Sequence, residues 1–355
     1  MAQPWTLWVL PTSALGGVAR HALDVARVGI PGYRLAVLAP AGPLLGQLQE
    51  LGVPTIEAEF GPEHGLRASR ASLQHAVDAL APAVVHSHLA YADVVTALVR
   101  TPGVRVSTEH GIAADDLVYH GSRTRATVMA RAHQARTARF AALIAVSAAT
   151  RQAMQAKWHP RTPITLIRNG IDPVPATPQP GLRVASIARL APEKRIDQLL
   201  RAYAQLADEP GATLTIAGTG PLAGELKALA AELGLQVAWP GHVDAAELLA
   251  RTDVLVQLSV WENCSYSLLD AAVRGVGVVA SPVGGNPEIV PDRCPVDPGD
   301  PGAVAAAIRT QGQDLSARPV LTEWPTVAEM GADIAGVYDR VLHRPVGPIS
   351  YAGAH

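Results

Sequence analysis

Short apolar runs alternate with longer Ala- and Leu-rich segments of helical spacing along almost the entire chain, and this leaves few folds open. Runs of this kind are parallel strands buried on both faces and joined by crossover helices. A first series reads TLWVL (6–10), RLAVLA (34–39), TIEAEF (55–60), AVVHSH (83–88), VRVSTE (104–109), ALIAVS (142–147) and ITLIRN (164–169). A second reads LRVASIA (182–188), ATLTIAG (212–218), LQVAWPG (235–241), DVLVQLS (253–259), VGVVAS (276–281) and CPVDP (294–298). Between them DPVPATPQPG (172–181) has four prolines and no apolar period, the signature of a short extended linker. The expectation is an α/β protein of two doubly wound, Rossmann-like domains, residues 1–173 and 182–326. A last helix, in 327–343, is expected to return to the first domain.

At 355 residues the chain is too long for one ordinary core, and with 48% hydrophobic residues it can bury two. Basic and acidic side chains nearly balance, 29 against 31, so no global field draws it to nucleic acid or to an anionic surface. Two cysteines, Cys264 and Cys294, make no disulfide framework, and no window approaches the roughly 18 apolar residues of a membrane span. These features predict a reduced, cytoplasmic protein, with any membrane contact peripheral.

Ligands of doubly wound sheets bind beyond the carboxyl ends of the strands. If the two sheets face one another there, the site is a cleft between them. In SIARLAPEKRIDQLL (186–200) a strand ends at Arg189 and Lys194 opens an amphipathic helix. An Arg fork and a Lys point charge, backed by helix N–H groups, would bracket a diphosphate. The plainer alternative is a solvated turn with Glu193 as local partner. In WENCSYSLLDAAV (261–273) Ser265 is placed to cap a helix over about 266–274. Glu262 precedes that helix and Asp270 lies one turn beyond Tyr266. Two acceptors on either side of a helix start suit a polyol with a phosphate between its ends, as in a nucleotide sugar; the alternative is a capping carboxylate and an exposed helix acid.

These two segments, with NGID (169–172), AGTGPL (217–222) and PGHVD (240–244) in order, resemble the retaining family 4 glycosyltransferases of GT-B fold, and the resemblance spans nearly the whole chain. It implies that Arg189 and Lys194 bind the donor diphosphate, Glu262 touches the donor sugar, and Asp270 holds the ribose. It further implies backbone contacts to the base near Gly241 and Val243, and a phosphate-facing loop through Asn263, Cys264, Ser265 and Tyr266. The chain departs from the family at Asp270, where Glu is usual, at Ala188 and Arg195, where Gly is common, and at Val276-Gly277, in place of Gly-x-Pro.

In the first half, SALGGVARHAL (13–23) offers Gly16 and Gly17 before a helix, as an acceptor or phosphate loop requires, although a tight turn with no ligand reads the same way. STEHG (107–111) sets His110 at a strand end, where the resemblance places a histidine near the donor sugar. His86 and His88 flank another strand end; with no second ligand set at suitable spacing, they read as packing or acceptor contacts. No D-x-D is present, and the resemblance implies that no metal is needed. GTGPLA (218–223) imitates a dinucleotide fingerprint, but no acid ends the following strand, which argues against an oxidoreductase. Arg123, Arg125, Arg131, Arg136 and Arg139, with no acid among residues 121–140, form a basic face that could meet anionic lipid.

The expected function is metal-independent transfer of a hexose from a nucleoside-diphosphate sugar, UDP favoured and GDP the alternative, with retention of configuration. The acceptor is a glycan, lipid-linked or small-molecule hydroxyl, in bacterial surface glycan or glycoconjugate synthesis. A non-hydrolysing nucleotide-sugar epimerase and an inactive binding subunit of the same frame are the alternatives.

Overall fold

The computed structural model describes residues 3–112 and 133–343. The chain divides into two compact units, one running through Gly170 and resuming at Pro325, the other Ile171–Trp324. The first holds a seven-stranded parallel sheet: β1 (Trp5–Val9), β2 (Arg34–Ala39), β3 (Thr55–Glu57), β4 (Val84–His88), β5 (Val104–Glu109), β6 (Ala142–Ala145) and β7 (Ile164–Leu166). Their order is β3-β2-β1-β4-β5-β6-β7, so the winding reverses between β1 and β4. The second holds β8 (Arg183–Ile187), β9 (Thr213–Ala217), β10 (Val237–Gly241), β11 (Val254–Gln257) and β12 (Gly277–Ala280), in the order β10-β9-β8-β11-β12 and reversing between β8 and β11. Both are doubly wound sheets of the kind expected. The run CPVDP is not a strand: it makes a single bridge, Ala280 to Pro295, because Pro295 and Pro298 have no N–H to give a ladder.

Why these runs are buried on both faces is visible in β1. Trp8 and Leu10 enter one core with Val37, Val84, Val106 and Ile144, while Leu7 and Val9 enter another with Leu38, Phe60, Leu73 and Val95. The helix Val327–Val341 closes the first of these cores with Met330, Ile334, Val337 and Tyr338, a stripe at helical spacing. A reciprocal capping box starts it: the Thr326 hydroxyl accepts from the Glu329 N–H, and the Glu329 carboxylate accepts from the Thr326 N–H. Its end is fixed from inside, since the Tyr338 hydroxyl accepts from Trp8 Nε1 at 2.9 Å and meets His86 Nδ1 at 2.7 Å. Gly170 allows this docking, because a Cβ there would stand 2.4 Å from the Thr326 carbonyl oxygen.

In the second unit Val184, Leu214, Ile216, Val254, Val256 and Val279 pack against the helices Ile196–Tyr203 and Pro301–Gln313. Residues 172–180, at the start of this unit, are exposed and carry no regular structure. Among the described residues no helix is long and apolar enough to cross a membrane.

Candidate functional site

In the second unit the motifs lie at the carboxyl ends of β8, β9, β10 and β11, and the two that carry the charged candidates flank the β8/β11 reversal, where such sheets hold ligands. After β8 the chain runs through Arg189 into a short 3-10 turn, Pro192–Lys194, and then into the helix Ile196–Tyr203. Arg195, at φ 48°, makes the left-handed step between them, a step that favours glycine. After β11, Ser259 and Glu262 precede the helix Tyr266–Val273. The Val260 N–H donates to the Glu193 carbonyl at 2.8 Å and ties the two segments together. Gly284, at φ 53°, passes so near the Glu262 carbonyl that a Cβ would collide with it, and the Gly285 N–H donates to that same oxygen at 3.0 Å.

This frame brings Lys194 and Glu262 into an ion pair, in which the Lys194 ammonium donates to Glu262 Oε1. The Ser259 hydroxyl donates to the same oxygen at 2.7 Å. Both charged side chains are largely buried. Arg189 does not join them: it pairs with Glu193, the local partner, and its side chain keeps 66% of its surface exposed. Ser265 caps its helix by accepting from the Leu268 N–H, and its hydroxyl is held in turn by Gln257 Nε2 at 2.9 Å. Asn263 and Tyr266 are half-buried beside this start, and Cys264 is buried and in no disulfide. Asp270 is buried rather than exposed and accepts from Arg274 Nη1 at 3.1 Å, one turn along the helix. After β10, Gly241 accepts from the Gly218 N–H at 2.7 Å, and Val243 packs toward Ala185, Ala217 and Leu248. The arrangement sets one partly buried cation, Lys194, and two carboxylates, Glu262 and Asp270, around a capped helix start.

In the first unit Gly16 and Gly17 are exposed at the start of the helix Gly17–Val28. Gly16 has φ 179°, ordinary extended backbone, with nothing within 4 Å of where a Cβ would stand, so openness rather than strain distinguishes it. His110 follows β5 and meets His88, with His88 Nδ1 3.0 Å from His110 Nε2. His86 is structural, as the packing reading held: its two nitrogens go to Tyr338 Oη and Thr108 Oγ1. His21, on the helix after β1, was not singled out by sequence, yet it stacks on Trp8 and touches both His88 and His110. Strand order explains the gathering: β1, β4 and β5 are neighbours, so residues beyond their carboxyl ends converge. Burial keeps these imidazoles neutral: it lowers His21 to about 4 against the opposing Asn169 hydrogen bond, and it holds His88 and His110 well below the ordinary value, where neighbouring histidines add to the effect.

The basic face must be corrected. Arg136 is buried and pairs with Asp93 and, at 3.0 Å, with Glu109; Ser87 and Ser107 also donate to Asp93. An apolar environment does not leave a guanidinium uncompensated, and its acids come from β5 and the helix Ala90–Leu98 rather than from its own segment. Arg123, Arg125 and Arg131 lie outside the described residues, and Arg139 is exposed.

A family model for glycosyltransferase family 4 matches residues 15–174, and one for glycosyl transferases group 1 matches 181–314. The chain belongs to the group 1, family 4 glycosyltransferases. Relatives of this family 4 chain include the glycogen synthase of Mycobacterium tuberculosis, 34% identical in a 197-residue alignment that covers 48% of each chain. Another is the 2-deoxystreptamine glucosyltransferase of Streptomyces kanamyceticus, 33% identical over 44% of this chain and 42% of its own. The chain thus spans about half the length of the curated relatives it matches. Two solved structures share its fold over 96% of its length with a TM-score of 0.76. They are Anabaena HepE in complex with UDP-glucose, 20% identical and 98% covered, and a glycosyltransferase of Rickettsia africae, 18% identical and 99% covered. The fold is GT-B.

Proposed function

We propose that the protein is a retaining, metal-independent glycosyltransferase that moves a hexose from a nucleoside-diphosphate sugar to an acceptor hydroxyl. The observation that carries this reading is the Lys194–Glu262 pair at the β8/β11 reversal. It joins a phosphate-type cation to a hydroxyl-type acceptor beside a capped helix start, the two functions a nucleotide sugar needs close together. HepE, which shares the fold, was solved with UDP-glucose, and this favours a UDP-sugar over a GDP-sugar.

In this reading the diphosphate takes its charge compensation from Lys194, from Arg189 swung off Glu193, and from N–H groups of the loop Asn263–Tyr266. Glu262 accepts from sugar hydroxyls, Asp270 serves the ribose, Gly241 and Val243 line the base, and His110 contacts the transferred sugar. No side chain acts as nucleophile: the acceptor attacks from the leaving-group face, the bond to the diphosphate oxygen breaks, and that oxygen takes the acceptor proton. Charge builds on the departing diphosphate, so Lys194 acts mainly in the transition state. The acceptor is assigned to the first unit beside Gly16 and Gly17, and is a glycan, lipid-linked or small-molecule hydroxyl of the kind used in bacterial surface glycans and glycoconjugates.

Lys194→Ala should lower kcat by about 100- to 1,000-fold, the scale for losing one preorganised electrostatic donor. Steady-state transfer assays with UDP-sugars, with NMR of the product anomer, check this. Near-normal turnover in the variant, or an inverted product, contradicts the mechanism. Conversion of the donor sugar without any acceptor would favour the epimerase.

A further inference from the structure

Three histidines of the first unit make a group that the transfer reaction does not use up. The His21, His88 and His110 rings have centroids 4.8, 5.3 and 5.6 Å apart. Three imidazoles on one zinc-like ion, with metal–nitrogen bonds of about 2.05 Å, keep ring centres about 5 Å apart and ligand nitrogens about 3.3 Å apart. One nitrogen from each histidine lies within 4.8 Å of the other two, and the His88–His110 pair is already at 3.0 Å. Small ring rotations close the set.

The hydrogen bonds point the same way. Asn169 Oδ1 can only accept, so its 3.2 Å contact fixes the proton of His21 on Nδ1 and leaves a lone pair on Nε2. That Nε2 is buried and has no hydrogen-bond partner among the described residues, while His88 turns its Nδ1 toward His110 Nε2. His21 and His88 are 2% and 0% exposed, and an unpaired nitrogen at such depth is costly unless something binds there. A histidine whose other N–H is held by an oxygen acceptor is the usual orientation of a metal ligand. His86 is not a fourth donor, since both its nitrogens are engaged, and the Glu109 carboxylate is taken by Arg136 and the Gly111 N–H.

We propose that His21, His88 and His110 form a site for a borderline transition-metal ion of the zinc class, with the remaining coordination positions open to solvent or to a hydroxyl-bearing molecule. Neutral imidazoles need lose no net proton to bind: the proton shared between His88 Nδ1 and His110 Nε2 moves to the other nitrogen of its own ring, which frees both for the ion. Because His110 is also assigned to the transferred sugar, the ion is inhibitory, a consequence that rests on the proposed function; the site itself does not.

The test reads the metal alone on the full chain. Wild type titrated with Co²⁺ should bind one equivalent with the intense visible absorption of a four- or five-coordinate centre, and one equivalent of Zn²⁺ should bleach it. His21→Gln and the half-buried His110→Ala should each abolish that signal while keeping the wild-type circular dichroism spectrum. Asn169→Ala, which removes the contact that orients His21, should weaken binding about 10- to 100-fold. His75→Ala, an exposed histidine, should bind as wild type does. Absence of the bands in wild type, or equal bands in His21→Gln and His110→Ala, would overturn the site and leave surface binding only.

Discussion

Lys194 and Glu262 stand 68 residues apart and share one ion pair, while Arg189, five residues before Lys194, turns to Glu193. Residue type and a place at a strand end were readable from the sequence; which neighbour each charge chooses was not, because that depends on the strand order that brings β8 beside β11. Asp270 and Arg136 carry the same lesson. Arg136 was read as part of an exposed basic face and Asp270 as a ribose acceptor or, alternatively, an exposed helix acid; each is buried against a partner. Arg274 could have been found at its i+4 spacing from Asp270, whereas Asp93 and Glu109 had no sequence signal. Removing one member of a buried charge set leaves the others uncompensated, so Arg136→Ala should cost about 3–5 kcal/mol of stability, read by urea unfolding. A loss within 0.5 kcal/mol, the scale of a surface change, would restore Arg136 to the solvent-facing role.

At the scale of elements, alternation of apolar and helical segments was enough to place all twelve strands of the two sheets, because strands buried on both faces leave an unbroken apolar run. The one excess, CPVDP, failed where proline removes ladder donors. The Ser265 cap and the helix after it were likewise legible, since an N-cap acts locally. The histidine triad was not, because its members lie beyond three different strands and meet only through the order β1-β4-β5. The helix Val327–Val341 provides an element-scale test, since it is fixed through one hydroxyl shared by Trp8 and His86. Tyr338→Phe keeps the ring but strands two buried nitrogens, and should lose about 1–3 kcal/mol without changing the secondary structure. Equal stability by urea unfolding would mean that apolar packing alone holds the helix.

For the whole molecule, two doubly wound units, each with its reversal point flanked by candidate site residues, follow from a chain long and apolar enough for two cores. In the proposed function the donor binds the second unit, and a nucleoside diphosphate is held there through Lys194. The most direct measurement is a thermal-shift panel of UDP, GDP, ADP and their common sugars against wild type and Lys194→Ala. A ligand at 100 times its Kd stabilises by about 2.7 kcal/mol, a shift of several degrees for a protein of this size. The account predicts such a shift with a uridine nucleotide in wild type and its loss in Lys194→Ala. Silence from every nucleotide, or an equal shift in the variant, would contradict it.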